Sequence, residues 1–271
     1  KCNNILVDKE KQCNCFMDKR KKHPVPLYEY LNDNSCSHKT FKQGCDKYRE
    51  CRKYFGSFMS QYEPDYEPEE WKNPYIEGTH NCYAYFLDDK IPSITKKCKK
   101  MCKKGKACKN NKECNDLKPQ PGYLSLKKNH KCSKNVEEKL DLYTCPSIME
   151  RVMCDNMEGS KTLLQPTTFD ERCPVDYYKG IAVVDSGQKR DMPKGHTYHF
   201  FRQDSSGRFS HKPGTLPVEN VDAVNDPIYA PHLSDKNYTK DDPYDEDGIH
   251  YDQNCRYFCI PRNYREKTKA L

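Results

Sequence analysis

The sequence predicts an α+β fold: a helix packed on an antiparallel sheet, with disulfide-rich irregular extensions. Three observations predict it. "GTHNCYAYFL" reads as a short buried helix opening at Cys82, and "KGIAVVD" (179–185) reads as a buried strand rich in β-branched residues. "HTYHFFRQ" and "RFSHK" flank "DSSG" in the pattern of a β-hairpin.

Composition sets the bounds. A chain of 271 residues makes one large domain or two smaller ones. Its apolar share is 35% and its mean hydropathy −1.10, so the core is thin for the length. Cross-links are the usual remedy for a thin core, and 17 cysteines supply them. A reducing cytosol would keep those cysteines as thiols, so the expected setting is secreted, cell-surface or virion. No apolar run approaches the roughly 18 residues that span a bilayer, so no membrane span is expected. The chain begins at Lys1 with no apolar signal region, as if a targeting segment had been removed. The formal charge of +7 is modest and carried mostly by lysine.

Taken in order, residues 1–60 carry Cys2, Cys13, Cys15, Cys36, Cys45 and Cys51 and read as a basic, disulfide-stapled module. Residues 61–70, with Pro and Glu throughout, read as an extended linker, because Pro disfavours both helix and central strand. Residues 71–271 read as the main domain, with a cysteine-rich insertion at about 96–175. Leaving Cys82 aside, the cysteines fall into blocks of six, four, four and two, so each block can close upon itself. Disulfides use cysteines in twos, and parity therefore marks Cys82 as the one left over.

Cys82 stands where a helix begins, after the capping candidates Thr79 and Asn81. A thiol in the first turn meets the positive end of the helix dipole and unsatisfied backbone N–H groups. Both favour the nucleophilic thiolate and can hold an oxyanion. A thiolate nucleophile needs a base, and the hairpin offers His199 and His211, twelve residues apart. A two-residue loop at Ser205 and Ser206 would put them on opposite faces. A type I turn with Gly207 left-handed in a bulge would instead pair Phe201 with His211 and set the histidines diagonally on one face. Their Cα atoms would then lie roughly 7–8 Å apart. Asp204 at the first position and Gly207 at the fourth favour the bulged turn.

A fourth stretch, "KPQPGYLSL" (118–126), reads as a Pro-Gly turn entering an alternating strand. With "NCYAYFL", "HFFRQ" and "SH" in this order, the set resembles the papain-like cell-wall peptidases of the NlpC type and their CHAP amidase relatives. The resemblance implies Cys82 as nucleophile, His199 as base and His211 as the orienting third member. Backbone N–H groups near Cys82, about Asn81 and Tyr83, would hold the oxyanion, and the "HKPG" turn would place Lys212 near the site, where it could bind substrate; no cofactor and no metal are expected. Two departures stand out: Tyr123 replaces the acidic residue that follows "QPG" in that family, and the insertion stretches the distance from Cys82 to His199.

Other signals add less. The Lys-rich stretch 96–112 lacks interleaved aromatics, so it reads as a solvated face and nucleic acid is not expected as a partner. "DDPYDEDG" would put Pro243 at the first ligand position of a calcium loop, which argues against one. Asn237, in "NYT", is a glycosylation acceptor on a eukaryotic secretory route. Two functions stay open. One is an extracellular or virion-associated cysteine hydrolase acting on a peptide or peptidoglycan-like substrate. The other is a non-catalytic structural or adhesive protein on the same scaffold, its partners being other structural subunits.

Overall fold

The fold is α+β, with helices on one face of an antiparallel sheet, in a computed structural model that describes residues 57–102, 111–128, 132–158, 161–187, 195–238 and 248–262. The helices among these residues are α1 (Pro68–Trp71), α2 (Pro74–Glu77), α3 (Cys82–Phe86), α4 (Pro92–Met101), α5 (Lys112–Asn115), α6 (Tyr123–Lys128), α7 (Ser133–Glu137) and α8 (Cys145–Asp155). The strands are β1 (Met157–Glu158), β2 (Lys161–Thr162), β3 (Gln165–Thr167), β4 (Tyr177–Asp185), β5 (Thr197–Gln203), β6 (Phe209–His211) and β7 (Gln253–Pro261). β1 and β2 form a small ribbon, and the other five form one sheet in the order β3-β7-β4-β5-β6 with every pair antiparallel.

β4 runs down the middle and is buried along almost its whole length, which explains its unbroken apolar run. Alternation splits its side chains between two cores. Ala182 and Val184 join Phe86 of α3, Ile148 and Val152 of α8, Phe200, Phe258 and Ile260 on the helical side. Ile181 and Val183 join Phe169, Phe201, Phe209, Ile228, Tyr251 and Tyr257 on the other, which loops cover. Gly180 sets how closely α3 approaches: a Cβ there would meet the Phe86 ring at 2.5 Å and Ile260 Cδ1 at 2.8 Å.

The hairpin closes by the bulged turn. Phe201 pairs with His211, the Asp204 N–H donates to the Arg208 carbonyl at 2.9 Å, and Gly207 has φ of 82°.

Several expectations need correction. The stretch after "QPG" is the helix α6 and not a strand, because the Asp155 carboxylate accepts the N–H groups of Gly122 (2.7 Å) and Ser125 (2.8 Å) and caps a helical turn there. The last two cysteine blocks do not each close upon themselves. Cys98–Cys114 and Cys132–Cys154 stay within their blocks, but Cys145–Cys255 and Cys173–Cys259 cross between them, tying α8 and the 173 loop to β7. Parity survives this, since any exchange of partners conserves it. The 96–175 segment supplies α8 to the helical core and β3 to the sheet edge.

Residues 57–67 are irregular yet bound to the sheet. Gln203 Nε2 donates to the Ser57 carbonyl at 3.0 Å, and the Ser205 N–H donates to the Pro64 carbonyl at 2.9 Å. The cysteines of the N-terminal module and the "DDPYDEDG" stretch as far as Asp247 lie outside the described residues.

Candidate functional site

Asn81 is the N-cap of α3. Its Oδ1 accepts the N–H groups of Tyr83 and Ala84, both at 3.2 Å, while its Nδ2 donates to the Pro119 carbonyl at 2.7 Å. The side chain therefore holds the helix start and the "QPG" loop together. It also occupies two first-turn donors, which sets it and Tyr83 apart from a direct oxyanion role. The Tyr83 hydroxyl is likewise engaged, donating to Asp155 Oδ2 at 3.2 Å.

Cys82 is the free cysteine among the described residues and is 5% exposed. The helix start does not make it a thiolate at rest. Burial pushes the thiol up to about 12, against the opposing pull of the Phe200 backbone, the Lys212 charge and the N–H groups of Tyr83 and Cys82 itself. A five-residue helix has a weak dipole, and removal from water outweighs it.

The histidines meet directly. His199 Nε2 and His211 Nδ1 are 2.8 Å apart, and His211 Nε2 lies 3.1 Å from the Val221 carbonyl. Both rings are buried, and burial holds both below the usual imidazole range, His211 at about 4 and His199 lower than its ordinary value by a wide margin. Both are thus neutral near pH 7, each with one N–H.

A carbonyl can only accept, so His211 carries its hydrogen on Nε2 and presents a lone pair on Nδ1. That lone pair takes the N–H of His199 Nε2. His199 Nδ1 is left basic.

Side chains alternate along β5, so Phe200 packs with α3 while His199 enters the opposite layer beside Phe201 and Tyr251. Cys82 lies at the boundary, against the Phe200 backbone, one residue along the strand from His199. Tyr251 belongs to the same group. Its ring stacks on His199 at 5.1 Å, and its hydroxyl lies close enough to Cys82 for their charges to interact. Tyr198 does the same from the helical side and donates to Gln120 Oε1.

Lys212 does not reach toward a substrate. Its buried ammonium donates to the carbonyls of Glu77 (2.8 Å), Gly214 (2.8 Å) and Leu216 (3.1 Å), which uses all three of its hydrogens. Burial lowers it to about 8. It pins the segment after β6 to the end of α2 and sets a positive charge near Cys82. Asn237 is half-buried, with its N–H on Asp235 Oδ1 at 2.9 Å, and Thr239 of its sequon lies outside the described residues. Among the described residues, no three His, Cys, Asp or Glu side chains gather as metal ligands.

Gln120, Tyr198, Asp155, Val221 and Tyr251 escaped sequence reasoning. Gln120 and Tyr198 lie inside the "QPG" and hairpin stretches, where neither residue by itself marks a site. Val221 acts through its backbone, and Tyr251 lies far along the chain, so neither leaves a local signal.

Against known proteins, 68 residues are 40% identical to insoluble matrix shell protein 1 of Ruditapes philippinarum, covering 24% of this chain and 46% of that protein. The likeness thus spans under half the length of that relative. No family model and no solved structure matches. The four disulfides between described residues mark a chain made for an oxidising, extracellular setting. No helix among the described residues is long and apolar enough to cross a membrane.

Proposed function

We propose that this chain is an extracellular cysteine hydrolase of amide bonds, with Cys82 as nucleophile, His199 as base and His211 as the residue that fixes the tautomer of His199. The observation that carries it is the hydrogen-bond chain from the Val221 carbonyl through His211 to His199 Nε2, which leaves His199 Nδ1 unprotonated one residue along β5 from the Phe200 backbone that the thiol meets. Cys82 passes its proton to Nδ1 as its sulfur attacks the carbonyl carbon. The imidazolium then returns that proton to the leaving amine, and water hydrolyses the thioester. The Cys82 N–H steadies the oxyanion. With both groups neutral at rest, the ion pair forms only as the reaction proceeds. A papain-like ancestry and a peptide or peptidoglycan-like substrate belong to the same reading.

The test is cleavage of a synthetic peptide library and of muropeptides, read by mass spectrometry. Cys82→Ala and His199→Ala should each lower the rate by about 10³-fold or more. Cleavage that survives Cys82→Ala refutes the mechanism.

A second reading rests on two observations, the burial of Cys82 and the likeness to a shell matrix protein. On that reading the chain is a disulfide-stabilised matrix component assembled with other structural subunits, and it turns over neither substrate class.

A further inference from the structure

The Cys82 thiol lies beside the aromatic side chains of Tyr198 and Tyr251, and the segments bearing Tyr251 and Tyr143, the residue that backs Tyr198, are joined by a disulfide. Tyr143 stacks on Tyr198 at 6.1 Å and 22°, and Tyr198 is anchored to Gln120. Tyr251 closes the site from the other layer, stacked on His199 at 5.1 Å. Tyr143, Tyr198, Cys145 and Cys255 are among the partly buried residues packed against the core cluster that contains Cys82. Tyr143 stands two residues before Cys145, Tyr251 four residues before Cys255, and those cysteines are bonded. This disulfide also differs from the others in access. Cys98, Cys114, Cys154, Cys173 and Cys259 are at most 4% exposed and Cys132 is partly buried, whereas Cys145 and Cys255 are both partly buried. Of the four disulfides described, it is the one in which neither cysteine is fully buried, and so the one most open to an external thiol.

We propose that Cys145–Cys255 is a reductant-operated latch on the Cys82 site. A dithiol reductant gives two electrons and two protons to the bond. Cys145 and Cys255 become thiols, and the reductant becomes a disulfide. The segment bearing Tyr143 then parts from the segment bearing Tyr251, and the thiol opens to molecules of substrate size. The inference concerns control of the site proposed above and rests on that reading for its effect on turnover. Access to Cys82 can be measured without any turnover.

The experiment is graded treatment of the full chain with dithiothreitol, then iodoacetamide, with every disulfide and Cys82 mapped by mass spectrometry in the same sample. Cys82 labelling should rise about tenfold or more in step with opening of Cys145–Cys255, while the other three described disulfides stay closed. A Cys145→Ser/Cys255→Ser variant should label at the faster rate with no reductant. Labelling unchanged after that bond has opened overturns the latch, and so does labelling that appears only when another disulfide opens. A variant that labels fast yet cleaves nothing keeps the latch and refutes the hydrolase.

Discussion

On the helical face of the sheet, Cys145–Cys255 ties α8 to β7 and Cys132–Cys154 ties the residue before α7 to α8. On the opposite face, residues 213–238 contain no cysteine and are held by polar side chains instead. Asp222 accepts the N–H groups of Val224 (3.0 Å), Asp226 (3.0 Å) and Asp235 (2.9 Å). The Lys236 ammonium donates to the carbonyls of Pro231 and Ser234. The helical layer is tied by these two disulfides, whereas the opposite layer, beyond Cys173–Cys259 at β7, is held over residues 213–238 by side chains that stand in for secondary structure. The candidate site lies at their boundary, with the thiol from the first layer and the histidine pair from the second.

Breaking the covalent side should have the largest effect. Cys145→Ser/Cys255→Ser opens a span of 110 residues and should cost about 4 kcal/mol in a denaturant titration. Asp222→Ala should come next, at about 3 kcal/mol, because three N–H groups lose a charged acceptor. It should also disturb the His199–His211 pair through the neighbouring Val221 carbonyl, seen as altered imidazole resonances by NMR. Gly180→Ala should cost about 2 kcal/mol, since Phe86 has no room to yield toward Ile260.

Acid sharpens the contrast, because the two layers respond with opposite sign. His199 and His211 are held below their unfolded values, so the unfolded chain binds more protons than the folded one. The stability they contribute is full above about pH 6.5 and is lost as pH falls toward about 4. Asp155, on the helical side, is raised by burial to about 6, so its cost is present above that pH and is relieved below it. Asp155→Asn should therefore lose stability more steeply than the parent chain between pH 6.5 and 4, by up to about 1.4 kcal/mol per pH unit. Equal slopes in urea midpoints would contradict this.

What the sequence made legible was local. The start of α3, the strand at 179–185 and the bulged hairpin follow from capping residues, β-branching and a glycine at a left-handed position, each read within a few residues. What stayed hidden depended on distant partners. The residues after "QPG" have strand-like alternation, but Asp155, far along the chain, caps them into a helix. The cross-block disulfides follow from β7 returning beside β4, which no cysteine spacing reveals. The burial of Cys82 stayed hidden for the same reason, since its helix start is visible in sequence and its cover by Tyr198 and Tyr251 is not.

The most direct measurement is non-reducing peptide mapping of the whole protein, alkylated in denaturant before any reduction. The account predicts an alkyl group on Cys82 and intact cross-linked peptides for Cys145–Cys255 and Cys173–Cys259. Recovery of Cys82 within a disulfide would contradict it.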